Sequence, residues 1–392
     1  MRFGANYTPR LGWFHSWLDL DLDLDETRRD FAALRRLGLD HVRIFPIWPI
    51  VQPNRTLIRP SALDDIVAVV RVAAECGLDV VVDGLQGHLS SYDFLPSWVA
   101  SWHRRNIFTD PEARSAEVNL IRALSERLAP EPNTIGLSLG NEFIQFAAAR
   151  HPNRHAITQL EASAWLKEML GAADSVWRGG LHTFSFDDDL FFDPAHPFTP
   201  EHATTLGDVT TVHSWIFSQV GPHLGKDHPG LATFARYLCE LAVAWSDDPE
   251  RPVWLQEVGA PLTHLSPAKV PDFIRATMRH LHGCDQLWGV TWWCSHDVSR
   301  TLADFPEVEY SLGLLDTHGR VKPAGHALAE AIADWSTTTP APMDVLTFSG
   351  DDLPQARAET APGGDLFTAW MQRALASEPA TLARQRSRVP TA

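Results

Sequence analysis

The chain has 392 residues, 44% of them apolar and 21% charged, an ordinary globular composition that excludes disordered, collagenous and disulfide-scaffold proteins. With 33 Lys and Arg against 49 Asp and Glu, the net charge is -16, so the surface field repels phosphate backbones and anionic lipid; neither nucleic acid nor a membrane is expected as a partner. Length alone suggests two or three domains, but a closed α/β barrel takes ~250 residues as one unit and can exceed ~400 with insertions.

A first strand is expected at 2 to 6 (RFGAN). Residues 25 to 37 (DETRRDFAALRRL) put Phe31, Leu34 and Leu37 on one stripe with charges opposite, and Gly38 supplies the stop of an amphipathic helix. Leu39 to Phe45 follow, short, β-branched and largely apolar, as a strand buried on both faces would be. The pattern then repeats. Ser61 caps an expected helix whose Leu63, Ile66, Val67, Val70 and Ala74 face one way, Gly77 ends it, and Leu78 to Gly84 form the next strand. Gly38-Leu-Asp and Gly77-Leu-Asp, 39 residues apart, each join a helix to a strand. Further strands are expected at 135 to 140, 181 to 185, 208 to 213, 252 to 257 and 287 to 293. Helical stripes lie between most of them, such as Val118, Ile121, Leu124 and Leu128 before the fourth and Phe273, Ile274, Met278 and Leu281 before the eighth. Eight strands alternating with helices, and no G-x-G-x-x-G or Walker sequence, predict a (β/α)8 TIM barrel over residues 1 to 335 rather than an open doubly wound sheet.

After Trp335, STTTPAPMD reads as a linker. The rest, to residue 392, is too short for its own core. Phe367, Trp370, Met371, Ala374 and Leu375 form a stripe by which residues 365 to 376 would dock on the barrel, and the basic end ARQRSRVPTA is expected to fray. Cys76, Cys239, Cys284 and Cys294 lack C-x-x-C pairing and lie in or beside apolar stretches, so they read as buried free thiols. The opening MRFGANYTPR carries no signal-peptide run, and no apolar stretch reaches the length of a membrane span; a soluble cytoplasmic protein is expected. Oligomeric state is not legible.

Chemistry in such a barrel stands at the carboxyl ends of the strands. Glu142 follows the fourth expected strand in LGNEF, and Glu257 closes the seventh in PVWLQE. Strands three places apart round an eight-membered ring bring their ends face to face across the mouth. Either glutamate alone reads equally as a solvated charge. Together, two facing carboxylates are the apparatus of glycoside hydrolysis, one protonating the leaving oxygen while the other attacks or activates water. Asn141, beside the acid, can hold a sugar hydroxyl, and the 15 Trp and 19 Phe supply flat faces for packing and for stacking on sugar rings. Trp48, Trp98 and Trp102 read first as packing and second as sugar platforms. No H-E-x-x-H or calcium loop occurs, Asp187, Asp188 and Asp189 read as a solvated acidic loop, and no metal or cofactor is expected. No G-x-S-x-G turn points to serine chemistry.

In these motifs the chain resembles glycoside hydrolase family 5, a retaining family of clan A, over residues 1 to about 330. The resemblance implies that Glu142 is the acid/base beside Asn141 and that Glu257, in LQEVGAP, is the nucleophile. It implies that Arg43 in HVRIFP supports the nucleophile, that His213 in TTVHSW lies in the site and that Trp293 in GVTWWCSHD lies under the reactive sugar. The passage YSLGLLDTHGRVKPAG, with Lys322 and Pro323, resembles the family's entry to its last helix. Two positions depart from the family pattern: Trp215 stands where a tyrosine usually holds the nucleophile, though an indole N–H can still donate, and His88 sits beyond the usual strand-three spacing, able to serve from a displaced loop. Within the family the chain looks most like bacterial β-mannosidases, some acting on mannosyl-β-1,4-N-acetylglucosamine, which implies an exo-acting enzyme on oligosaccharides. The competing readings are an endo-β-1,4-mannanase or β-glucanase (cellulase), a transglycosylase, and a non-catalytic sugar-binding barrel.

Overall fold

The computed structural model describes residues 1–18, 22–335, 344–378 and 380–385. Seven parallel strands curl into one sheet: β1 (Arg2–Asn6), β2 (His41–Ile44), β3 (Asp79–Asp83), β4 (Thr134–Ser138), β5 (Thr210–Ser214), β6 (Val253–Val258) and β7 (Leu287–Trp292), ordered β4-β3-β2-β1-β7-β6-β5. The expected fifth strand, 181–185, fills the gap between β4 and β5 without forming a ladder. Toward β4 it keeps backbone bonds, from Leu181 N to Ile135 O (2.8 Å) and from Thr183 N to Leu137 O (3.1 Å). Toward β5 a single backbone bond, from Asp208 N to His182 O (2.9 Å), is followed by threonine hydroxyls: Thr183 Oγ1 donates to Val209 O (2.9 Å) and Thr211 Oγ1 to Phe184 O (2.6 Å). Side-chain donors here compete with the N–H ladder, so the ring closes as a (β/α)8 barrel with one irregular stave. The expected sixth, seventh and eighth strands are β5, β6 and β7. Gly136 permits the approach, since a Cβ there would lie 1.7 Å from Leu181 O.

Helices cover the outside: α1 (Leu24–Arg36), α2 (Pro60–Glu75), α3 (Pro111–Leu128), α4 (Gln159–Asp174), α5 (Phe234–Trp245), α6 (Val270–Leu281) and α7 (Pro323–Ala333). The buried stripes of α1 and α6 are those expected, Phe31 and Leu34 on one, Phe273, Ile274, Met278 and Leu281 on the other. In α2 two details differ. Pro60 opens the helix after Arg59, so Ser61 lies in the first turn and does not cap it. Ala73, seven residues after Ile66, takes the inner place, leaving Ala74 on the solvent rim.

Beyond the linker, β8 (Val345–Ser349) and β9 (Thr381–Gln385) pair in parallel around α8 (Leu353–Thr360) and α9 (Asp365–Leu375). This unit packs on α5. Tyr237 donates its hydroxyl to Thr360 O (2.6 Å), with Phe367 and Trp370 at 4.9 and 5.2 Å from its ring, and Trp245 meets Phe348 at 5.7 Å. Residues 383–385, expected to fray, belong to β9, where the Arg384 guanidinium lies 4.6 Å over Trp245; Leu375, expected in the docking stripe, is exposed. The linker residues 336–343 and the end, 386–392, lie outside the described residues. All four cysteines are free, but only Cys239 and Cys294 are buried; Cys76 and Cys284 are half-buried. No described helix is long and apolar enough to cross a membrane.

Candidate active site

The barrel interior is layered by strand alternation. Val81, Val209 and Trp254 form an apolar floor. Two residues further along β3 and β6 stand Asp83 and Gln256, which with Asn6 of β1 and Arg43 of β2 make a wholly buried polar layer. Above it lie the carboxyl groups. Irregular register between Val212 and His213, and between Leu255 and Val258, lets the consecutive residues Gln256 and Glu257 both reach the interior. His213 Nε2 lies 3.1 Å from Gln256 Oε1 while its Nδ1 lies 3.3 Å from Glu257 Oε2. On the far side, LGNEF leaves β4 in a tight turn. Gly140 has φ +117°, and a Cβ there would sit 2.3 Å from Leu85 O. Glu142 itself adopts a left-handed φ of 41°, a conformation that costs a residue with a Cβ about 1–2 kcal/mol. Asn141 and Glu142 thereby both line the cavity.

That cavity, about 560 Å³, is lined by Glu142 and Glu257 together with His88, Asn141, Trp215 and Trp293. One oxygen of each catalytic-candidate carboxyl and a ring nitrogen of His213 lie within 4.8 Å of one another. Glu257 accepts from Arg43 Nη1 (2.7 Å) and from the Trp215 indole N–H (3.2 Å), so the indole makes the contact that the resemblance assigns to a tyrosine. Arg43 also donates to Asn141 Oδ1 (2.8 Å), Ser185 Oγ (2.9 Å) and Asn6 Oδ1 (3.1 Å), and its Nε stands 2.7 Å from Asp83. Glu142 meets His213 Nδ1 at 2.7 Å.

The three groups bear on one another's charge. Burial pushes the Glu257 carboxyl above its ordinary range and the charge of Glu142 adds to this, against the pull of His213 and Arg43. Burial also penalises Glu142, but the hydrogen bond and charge of His213 outweigh it and leave this carboxyl lowered. His213 is raised: burial opposes its charge, and the facing Glu257 and Glu142 overcome it. A lowered Glu142 runs against a proton donor's role taken alone, but its 2.7 Å partner across the same contact is His213, whose affinity for a proton is raised.

Every site residue anticipated from sequence comes to this cavity or its floor. His88 lines it, pairing Nδ1 with Asp93 (2.9 Å), while its carbonyl accepts from Asn141 Nδ2 (3.4 Å). Trp293, and not Trp292, faces the cavity. Trp48 and Trp98 pack on each other at 5.7 Å, and Trp102 is 98% exposed, away from the lining. The acidic run is a correction. Asp187, Asp188 and Asp189 are buried and line the cavity, held by Gln145, Ser218 and Arg150 respectively. Burial and mutual repulsion raise the carboxyls of Asp187 and Asp188 well above the usual range. Their position just past the fifth stave, at the carboxyl end where barrel sites form, was the available signal. Glu309, also unforeseen, lines the cavity beside Trp293. The Glu142, His213 and Glu257 donor atoms are close enough to share a cation, but the Arg43 guanidinium already supplies positive charge to Glu257.

No protein-family model matches the chain, and no curated protein does. Solved structures do. A glycoside hydrolase family 5, subfamily 18 protein from Streptomyces cattleya, a glutamate-to-alanine variant in complex with Manβ1-4GlcNAc, superposes with TM-score 0.93 at 49% identity, covering 98% of this chain and 94% of its own. A subfamily 18 variant from Bifidobacterium longum subsp. longum, again with Manβ1-4GlcNAc, gives 0.94 at 43% identity, over 98% and 91%. An exo-β-1,4-mannosidase from an Opitutaceae bacterium gives 0.77 at 24% identity, over 98% and 69%, a likeness of fold alone. With identities of 49% and 43% spanning nearly the whole of both chains, this chain belongs to glycoside hydrolase family 5, subfamily 18, as a retaining glycosidase on a (β/α)8 barrel.

Proposed function

We propose that the enzyme is an exo-acting β-mannosidase that releases mannose from mannosyl-β-1,4-N-acetylglucosamine, with Glu257 as nucleophile and Glu142 as acid/base. The observation that carries the chemistry is the carboxyl pair, with oxygens within 4.8 Å; retention needs groups roughly 5–5.5 Å apart, whereas inversion needs room for a water. The two carboxyls are held differently. Two donors, Arg43 and Trp215, converge on Glu257 and favour the anion that attacks the anomeric carbon. Glu142 touches His213 instead, so the proton in that hydrogen bond is delivered through Glu142 to the leaving oxygen. The bond from anomeric carbon to leaving oxygen breaks as the bond to Glu257 forms. Glu142, then a carboxylate, takes a proton from water, which releases mannose from Glu257.

The substrate reading is supported by the two relatives whose structures hold Manβ1-4GlcNAc, and the cavity volume suits a short oligosaccharide better than a polymer. Initial rates on aryl β-mannoside, β-glucoside and β-galactoside, alongside the disaccharide, test it. A preference for manno of roughly 100-fold in kcat/KM is expected. Preference for gluco would overturn the mannosidase reading and leave the carboxyl pair untouched.

A further inference from the structure

Glu309 is a further carboxyl lining the cavity, and the displacement described above leaves it unused. Its side chain is nine-tenths buried and accepts from the Trp293 indole N–H at a long 3.4 Å. It stands on the loop after β7, four places from β4 round the eight-stave ring, which is the position diametrically across from Glu142. The leaving oxygen must lie at Glu142, and Asp187, Asp188 and Asp189 border that half of the cavity. Trp293, Ser90 and Glu309 therefore border the sugar that is released.

The same end is walled off. Phe305, on the Glu309 loop, packs 5.2 Å from Trp13 and 5.1 Å from Tyr92, whose hydroxyl donates to Ala303 O at 3.0 Å. Trp13 in turn lies 6.0 Å from Trp293. Three loops, after β1, β3 and β7, thus interlock behind the reactive sugar's site.

We propose that Glu309 anchors the glycone: its carboxyl binds hydroxyls of the terminal sugar at the end remote from the scissile bond, and its interlocked loop confines cleavage to chain ends. This rests on the retaining mechanism and deepens the exo reading. A desolvated carboxyl bonds hydroxyls strongly because no water competes. Burial holds this carboxyl at about 7, with the charges of Glu257 and Glu142 adding against donors from Trp293 and Ser90, so it serves as acceptor or donor near neutrality.

The test compares the intact enzyme with Glu309→Gln and Glu309→Ala on the aryl glycoside of whichever glycone the wild type prefers, and on its 4-deoxy and 6-deoxy analogues. In the wild type at least one deoxy analogue should lose about 10- to 100-fold in kcat/KM, the size of a hydrogen bond to a charged group. Glu309→Ala should lose a similar factor on the parent sugar, mainly through KM, and should no longer distinguish the parent from that analogue. Glu309→Gln, which keeps the shape, should lie between. If the analogues lose the same factor in the variants as in the wild type, Glu309 only supports Trp293 and the proposal fails. A wild-type preference for gluco would sink the mannosidase reading alone, because the deoxy comparison is scored on the preferred glycone.

Discussion

Arg43 sets the charge balance of the site. One guanidinium reaches Asp83, Glu257, Asn141, Asn6 and Ser185, so it fixes the proposed nucleophile, Glu257, and the neighbour of the proposed acid, Asn141, at once. Trp215 adds the second donor to Glu257. Trp215→Phe removes that N–H and keeps most of the ring; kcat should fall about 10- to 100-fold with little change in KM, as for loss of one pre-aimed donor, which steady-state kinetics would check. The coupled titration gives a further expectation. Glu257 must be ionised, and its raised pKa puts the acid limb of kcat/KM above the ordinary carboxylate range. The Glu142–His213 proton must be present, and the raised His213 puts the alkaline limb above 6.5; in His213→Ala that limb should move down. These residues were legible in the sequence because each closes an apolar strand or follows one in a recognisable order. Glu309 was not, since it lies in an irregular loop 16 residues past Trp293 where no periodicity marks it.

Among the elements, the strands with branched apolar alternation were readable to within a residue or two, β3 and β6 most plainly. The 181–185 stave was readable as position and not as ladder, because hydropathy does not register that Thr183 and Thr211 spend their hydroxyls on backbone carbonyls. The following acidic run looked like solvent-facing loop; what buries it is long-range. Arg357 of α8, wholly buried, donates to Leu190 O, His196 O and Phe198 O, gripping the segment that carries Asp187, Asp188 and Asp189. No local pattern announces a clamp across some 160 positions. Arg357→Met should strand those carbonyls and cost about 3 kcal/mol of stability, seen as a lower midpoint in denaturant, together with reduced activity measured well below that midpoint.

At the scale of the whole molecule, the C-terminal unit and the barrel share aromatic packing through Tyr237 and Trp245 of α5, and Arg357 ties the unit to the segment just after the acidic run. Stability should also carry the mark of buried carboxyls remote from the site. Glu117, between α3 and α4, accepts from the Trp165 indole N–H at 2.9 Å, and burial raises it from 4.5 to about 8. Between those two values the folded chain holds a proton that the unfolded chain has released, so stability should fall as pH rises through the window. Glu117→Gln should remove that slope: thermal melts at pH 5 and pH 8 should differ less than in the wild type, with the gain at pH 8.

The most direct check on the carboxyl pair is covalent trapping. Incubation with a 2-deoxy-2-fluoro-β-mannosyl fluoride, followed by peptide mass spectrometry, should place one sugar on Glu257, with slow recovery of activity as Glu142 activates water. A label on a different residue, or an unlabelled enzyme whose product shows inverted anomeric configuration, would contradict the account.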